Sequence, residues 1–266
     1  MKEKEKAVSR RDFLKVTGGT AAGIAVTGMA WRPGEAEAAA MPKKWNETFD
    51  VVVVGSGFAG LAAAYEAKKA GASVVVLEKM RTPGGNSIIN GGVVSAAGSP
   101  LEARDGIKDS PELLLKDMLA AGLNLNHLEL ARLVAYESNN TVQWTINELG
   151  VKYKDSLSQE GGHSVPRMYS TYNQSGSAIV TQQLEKLKEI GLIPRTQVLL
   201  KRLLRDTDGR VKGVEVREKY VFPRENSGRT KFIKAKKAVV LATGGFGNDV
   251  PFRTIQDPRL TADLES

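Results

Sequence analysis

Cysteine is absent from this 266-residue chain, and histidine occurs only at His127 and His163. Without cysteine there is no disulfide, no thiolate metal site, no thiol nucleophile and no covalently attached c-type haem. Two histidines cannot build a histidine-rich metal centre. Aromatic residues make up 6% of the chain, and no basic helix or aromatic–basic stripe is found, so nucleic-acid binding is not expected. The weakly apolar segment Val16 to Met29 is too short and too rich in glycine to cross a bilayer, which takes about 20 apolar residues. What the chain does have is 41% hydrophobic content, enough for one substantial core or two small domains. It also carries a net charge of +8. Residues 1–40 hold seven Lys/Arg and five Asp/Glu, contributing +2 and leaving +6 for the remainder. That scattered positive charge favours an acidic partner or a dicarboxylate.

The N-terminus has the order of an address. Ser9-Arg10-Arg11-Asp12-Phe13-Leu14-Lys15 places paired arginines before the apolar segment, and Ala36-Glu37-Ala38 offers small residues at the positions a signal peptidase reads. The run resembles a twin-arginine export signal over residues 1–40, cleaved near Ala38 to Ala40. The resemblance implies the twin-arginine translocase as a partner and the periplasm as destination. A basic tail before a short apolar helix is the alternative, and it does not account for the order of the three features.

The segment Asp50 to Lys79 carries the chemistry. Val51 to Val54 meets Gly55, Gly57 and Gly60, an alanine-rich helical pattern follows, and a second apolar run, Val74 to Leu77, stops at Glu78. This is a strand–turn–helix–strand unit that holds a dinucleotide. Gly55 permits the tight turn, Gly57 lets the backbone approach a pyrophosphate, and Gly60 lets helix and strand pack closely. The helix N-terminus aims free amides and partial positive charge at the phosphates. Glu78, 18 residues past Gly60, stands where a carboxylate accepts hydrogen bonds from an adenosine ribose. A glycine-rich turn in an unrelated α/β domain remains the alternative.

Next comes a loop, Met80 to Gly92, in which two glycine pairs flank small polar residues. Such a loop exposes backbone amides to something that must come close, or else is a flexible surface loop. Glu78-Lys79, then Gly84-Gly85-Asn86-Ser87, then Gly91-Gly92 resembles the flavoprotein dehydrogenases related to fumarate reductase and flavocytochrome c. The resemblance implies that Ala59, Glu78, Lys79, Gly85, Asn86, Ser87, Asn90, Gly91 and Gly92 contact FAD. Membrane-bound relatives attach FAD through a histidine in this loop; none stands here, which implies a non-covalent cofactor. Near the end, Lys237 to Gly247 reads as a buried strand closing on Ala242-Thr243-Gly244-Gly245, an element that recurs in FAD proteins and adds Ala242, Thr243 and Gly244 to the implied site. In the family the strand equivalent to Gln197-Val198 gives adenine a backbone contact, which implies Val198.

Between these motifs the chain reads as packing. Pro111 to Ala121 reads as a short amphipathic helix. Asn126 and Glu129 form the pattern of a capping box for a helix reaching Leu149, with Leu130, Leu133, Val134, Val142, Trp144 and Ile146 as its apolar content. His127 is expected to face solvent. The polar stretch Gly161 to Tyr169 reads either as an ordinary loop or, through His163, Arg167 or Tyr169, as a functional one, before a helix from Ala178 to Ile190. Leu192 to Glu218 reads as two strands around Asp206-Thr207-Asp208-Gly209.

The expected fold is therefore α/β: a Rossmann-like FAD-binding domain with a central parallel sheet, a β-hairpin or meander insertion and packed helices. Residues 41–247 form its N-terminal part. Residues 248–266 begin a substrate-capping region that is truncated, so the chain is incomplete relative to the family. The resemblance implies an oxidoreductase that reduces the C=C bond of fumarate or a similar unsaturated (di)carboxylic acid. Its electrons come from a separate c-type cytochrome, since no CxxCH is present. No catalytic residue is assigned, Arg253 and Arg259 included. Alternatives are a non-catalytic FAD-binding fragment, a ketosteroid dehydrogenase branch, and an NAD-binding protein.

Overall fold

In the computed structural model, which describes residues 41–264, β1 (Glu47–Val54) runs through the sheet interior because its last four residues are valines buried on both faces. The export-signal expectation, at residues 1–40, lies outside the described residues. After a glycine turn, α1 (Phe58–Lys69) buries Gly60, Leu61, Ala64 and Tyr65, and the chain returns as β2 (Val74–Leu77). The two strands are parallel, with Val51 opposite Val74 and Val54 opposite Leu77. A 3₁₀ turn at Gly85–Ile88 leads to β3 (Val93–Ser95), α2 (Pro100–Arg104), α3 (Pro111–Ala121) and α4 (Leu128–Asn147). Then follow β4 (Tyr153–Ser158), β5 (Met168–Thr171), α5 (Ser177–Glu189), β6 (Val198–Arg205), β7 (Val211–Glu218), β8 (Arg229–Leu241) and α6 (Val250–Gln256).

The main sheet has the order β2-β1-β8-β7-β6. β1 is parallel to both β2 and β8, while β6, β7 and β8 form an antiparallel meander. The sheet is thus mixed, and the expected insertion is continuous with the parallel part. Its edges nearly meet. Arg195 bridges Leu77, and the amides of Gln197 and Val198 donate to the carbonyls of Met80 and Glu78 at 3.0 and 2.8 Å. Strand periodicity then sorts the valines. Val51, Val53, Val74 and Val76 pack with Leu61 of α1 and Val180 and Leu187 of α5. Val52, Val54, Val75 and Leu77 pack with Val198, Val214, Val216 and Ile233 of the meander.

Three expectations need correction. The run ending in Ala-Thr-Gly-Gly is not fully buried: Ile233 and Ala235 are, Val239 and Val240 are half-buried, and Leu241 is 53% exposed. Lysines at 234, 236 and 237 break the apolar run, so the strand cannot be covered along its whole length. The stretch around Gly161 is flanked by strands, β4 and β5, which with β3 make a second sheet of order β3-β5-β4. Their pattern was illegible because four of the six residues of β4 are polar. The third concerns α4, which starts one residue later than a cap at Asn126 would place it. Its N-cap is His127, without a side-chain bond, and Asn126 Oδ1 is buried with no partner among the described residues. A reciprocal capping box forms instead on α2, between Ser99 and Glu102. Leu130, Leu133 and Val134 are 57–59% exposed, and α4 turns Ala131, Ala135, Ser138, Val142 and Thr145 inward. Small side chains let α4 lie close to its neighbours, and closeness outweighs the larger apolar area of leucine there.

A buried ionic cluster ties this region together. The Arg167 guanidinium, fully buried, donates from Nε and Nη2 to both oxygens of Asp109 at 2.7 Å, and from Nη1 to Asp117 Oδ2 at 2.6 Å. Asp117 also accepts from the amide and hydroxyl of Ser164, and His163 Nδ1 lies 3.0 Å from Arg167 Nη1. In this loop Arg167 is a clamp, and Tyr169 is buried edge-to-face on Tyr153. Glu102 adjoins the cluster with Oε2 bonded to the Ser99 amide and Oε1 without a hydrogen-bond partner among the described residues. Burial, reinforced by Asp109, pushes its carboxyl from the usual 4.5 up to about 7. Between those values the folded chain holds a proton the unfolded chain has lost, so this contribution to stability falls as pH rises through the window. Glu102→Gln should flatten that slope, and at pH 8 its melting temperature should exceed the parent's. An unchanged difference between pH 5 and pH 8 would assign the slope elsewhere.

Candidate cofactor site

The turn after β1 is where the two glycine motifs meet. Gly55 has φ +102°, and a Cβ there would lie 2.1 Å from the carbonyl oxygen of Ala242. A Cβ on Gly60 would lie 2.0 Å from the Gly55 oxygen and 3.2 Å from Ala242 Cβ. The Ala242 amide donates to Val54 O at 2.8 Å, pinning the end of β8 to this turn. Gly55 and Gly60 are therefore required by backbone-to-backbone contact. Gly57 is different: it faces outward, with Ser87 Oγ 2.9 Å from where its Cβ would stand. Thr243 and Gly244 continue past Ala242 as exposed backbone on the same side.

Gly57 also begins α1. The Phe58 amide donates to Ser87 Oγ at 3.1 Å, whereas the amides of Ala59 and Gly60 have no acceptor among the described residues. Free first-turn amides with the helix dipole behind them attract an anion. Glu78, 5% exposed, closes the other side. Its Oε2 accepts from the amide and hydroxyl of Ser56 at 3.2 and 2.6 Å, and its Oε1 accepts from the Met80 amide at 2.8 Å.

The loop that follows is latched to α5. The amide of Gly176, at the start of α5, donates to Asn90 O at 2.9 Å, and Ser175 Oγ donates to Ile88 O at 3.3 Å. Asn90, exposed, folds its side chain onto the loop's own backbone, donating to Ser87 O at 2.7 Å and accepting from the Gly92 amide at 2.6 Å. Gly92 has φ +66°, and a Cβ would lie 2.2 Å from Thr171 Oγ1. Asn90 and the buried Gly92 thus shape the loop, and Gly85, Asn86, Asn90 and Gly91 stand exposed on its surface.

A cleft of ≈ 500 Å³ opens beside this loop, lined by Lys79 to Pro83, Gly85, Asn86 and Ile88 on one side and Tyr220 to Phe222 on the other. Lys79 Nζ lies 5.8 Å from the centre of the Phe222 ring. Gln197 holds the far wall, accepting from the Tyr220 amide at 2.8 Å while its own amide donates to Met80. Val198 is buried and its amide is taken by Glu78 O, so its N–H is closed to a ligand. Ser56, Arg81, Tyr220 and Phe222 were missed in the sequence. Ser56 occupies a variable position of the glycine motif, and the aromatic pair sits in a connection that reads only as basic and glycine-containing.

Free helix amides, a turn that leaves no room for side chains, a buried acid at the end of β2 and two cations beside a cleft match the needs of a dinucleotide. The sequence comparisons decide which. Residues 50–263 match the model of a family described as FAD binding domain. The chain belongs to this FAD-binding family. It is 39% identical to the acrylate reductase flavoprotein subunit of Shewanella woodyi, over 97% of this chain and 50% of that one. It is 32% identical to the urocanate reductase of Eggerthella lenta, over 97% and 42%. Its structure is similar to the open conformation of a flavocytochrome c3 fumarate reductase, with a TM-score of 0.75, 28% identity, and 100% of this chain aligned with 42% of that one. The chain spans half, or less, of the length of these relatives. FAD is its cofactor, and the geometry suits it.

Proposed function

We propose that this protein is an exported flavoprotein oxidoreductase that reduces the C=C bond of a small unsaturated carboxylic acid. The observation that carries the reading is the junction of Gly55, Gly60 and Ala242 beneath free α1 amides, in a chain similar to acrylate, urocanate and fumarate reductases. Residues 41–247 bind the flavin, 248–266 begin the region that caps the substrate, and 1–40 direct export to the periplasm through the twin-arginine translocase. FAD, when bound, supplies the hydride. The α1 amides and dipole neutralise the pyrophosphate, Lys79 and Arg81 add positive charge, and Glu78 accepts from the ribose. Ala59, Gly85, Asn86, Ser87, Gly91, Thr243 and Gly244 supply the rest of the contact surface. Electrons come from a separate c-type cytochrome.

A chain that holds flavin without turnover is the competing reading. Arg253 donates to the carbonyls of Gly247, Leu260, Thr261 and Leu264, and Arg259 is paired with Asp257. No catalytic role is assigned to either. Purified protein loaded with FAD and supplied with reduced viologen separates the two: consumption of fumarate, acrylate or urocanate supports the enzyme, and flavin absorbance without turnover supports the alternative. NAD retained in place of flavin would overturn both. Within the flavin reading, Glu78→Ala should weaken FAD binding by about 1.5–3 kcal/mol, the range for a hydrogen bond to a charged group. Flavin fluorescence titration measures it.

A further inference from the structure

We infer that Ser56 is a positioning residue for the cofactor: it holds the Glu78 carboxylate in its ribose-accepting orientation and ties it to the loop at Gly84. This rests on the FAD reading above.

Ser56 has no exposed surface, and each of its hydrogen-bonding groups has a fixed direction. The Gly84 amide can only donate, and it donates to Ser56 Oγ at 3.0 Å. The hydroxyl proton must therefore point elsewhere, and it points at Glu78 Oε2, 2.6 Å away. The Ser56 amide donates to the same oxygen at 3.2 Å. Oε1 is steered separately, by the Met80 amide at 2.8 Å. Four donors in series thus allow one arrangement: Gly84 N–H to Ser56, Ser56 O–H and N–H to Oε2, and Met80 N–H to Oε1. A carboxylate accepts at both oxygens and satisfies all of these donors. An amide at position 78 cannot, because its NH₂ would face an N–H on one side. The carboxylate's remaining acceptor capacity is left for a ribose hydroxyl.

Because Ser56 acts through Glu78, its effect on FAD should vanish when Glu78 is gone. The test is a double-mutant cycle on the full chain, with FAD affinity read by fluorescence titration of the apoprotein and melting temperature measured for each variant. Ser56→Ala should weaken FAD about tenfold in the parent, as expected for loss of one charge-assisted bond. In the Glu78→Ala background it should change FAD affinity by less than about twofold. Ser56→Cys fills the site with a larger atom that donates only weakly; it should weaken FAD in the same way, and it serves if the alanine variant does not fold. Equal losses in both backgrounds would reduce Ser56 to a structural prop for Gly84 and overturn the inference, as would no loss in either. A parent chain that takes up no FAD overturns the cofactor reading and this inference together. A parent that binds FAD, with unaltered Ser56 variants, overturns this inference alone.

Discussion

Gly55→Ala is expected to yield a chain that loses its flavin and about 4 kcal/mol or more of stability. Two costs coincide at this residue. The backbone has φ +102°, which side chains rarely adopt, and the added methyl would lie 2.1 Å from a main-chain oxygen, Ala242 O. That oxygen has nowhere to go, because the Ala242 amide is bonded to Val54. Relief requires the end of β8 to leave the turn, and with it Thr243 and Gly244. Gly91→Ala provides the contrast: nothing lies within 4 Å of its Cβ position and its φ is ordinary. Its melting temperature should match the parent's, so any loss of flavin there reports direct contact. Chemical denaturation and flavin content, measured on the same samples, check both. A Gly55→Ala protein as stable as the parent would mean that β8 and the turn do not meet as described.

The second large effect is expected at Arg167. Removing one member of a buried ion pair leaves an uncompensated charge, which costs about 3–5 kcal/mol. Arg167→Met leaves two: Asp109, fully buried, and Asp117, 12% exposed. Lysine is no remedy, because one ammonium cannot span both Asp109 oxygens and also reach Asp117. The cluster is built from α3, the connection after α2 and the segment before β5, none of which contributes to the glycine turn. Urea denaturation should show the loss, while the FAD affinity of the folded fraction stays within about twofold of the parent. Weakened FAD binding in fully folded protein would show that this loop reaches the cofactor after all.

How legible these features were depends on sequence distance. The β1–α1–β2 unit could be read because its signals are local: a valine run, three glycines and an acid within 30 residues. The Ala242 element could be paired with it because both carry glycine, the residue a close backbone approach demands. Arg167 could not be paired with Asp109, 58 residues away, because ion-pair partners leave no periodic trace. The inward face of α4 was misread for another reason. Apolar periodicity ranks leucine above alanine, whereas a tight helix seam selects for small size. The site itself was partly visible: exposed backbone at Asn86 and Gly91 reads as contact surface, but the loop-shaping roles of Asn90 and Gly92 depend on where α5 begins. Ser56 was invisible because its partners, Glu78 and Gly84, lie 22 and 28 residues on.

The central claim is that the phosphates of FAD lie against Gly57 at the start of α1. Gly57→Val tests it most directly. Its Cβ would crowd only the Ser87 hydroxyl, at 2.9 Å, with Ser87 Cβ and Gly84 O in ordinary contact at 3.8 and 3.9 Å; moving that hydroxyl costs its bond from the Phe58 amide but no backbone contact, so the fold should survive. With parent and variant titrated side by side with FAD, the parent should saturate at one flavin per chain. The variant should melt near the parent's temperature and bind none. A folded Gly57→Val protein with the parent's affinity would place the cofactor elsewhere and contradict the account.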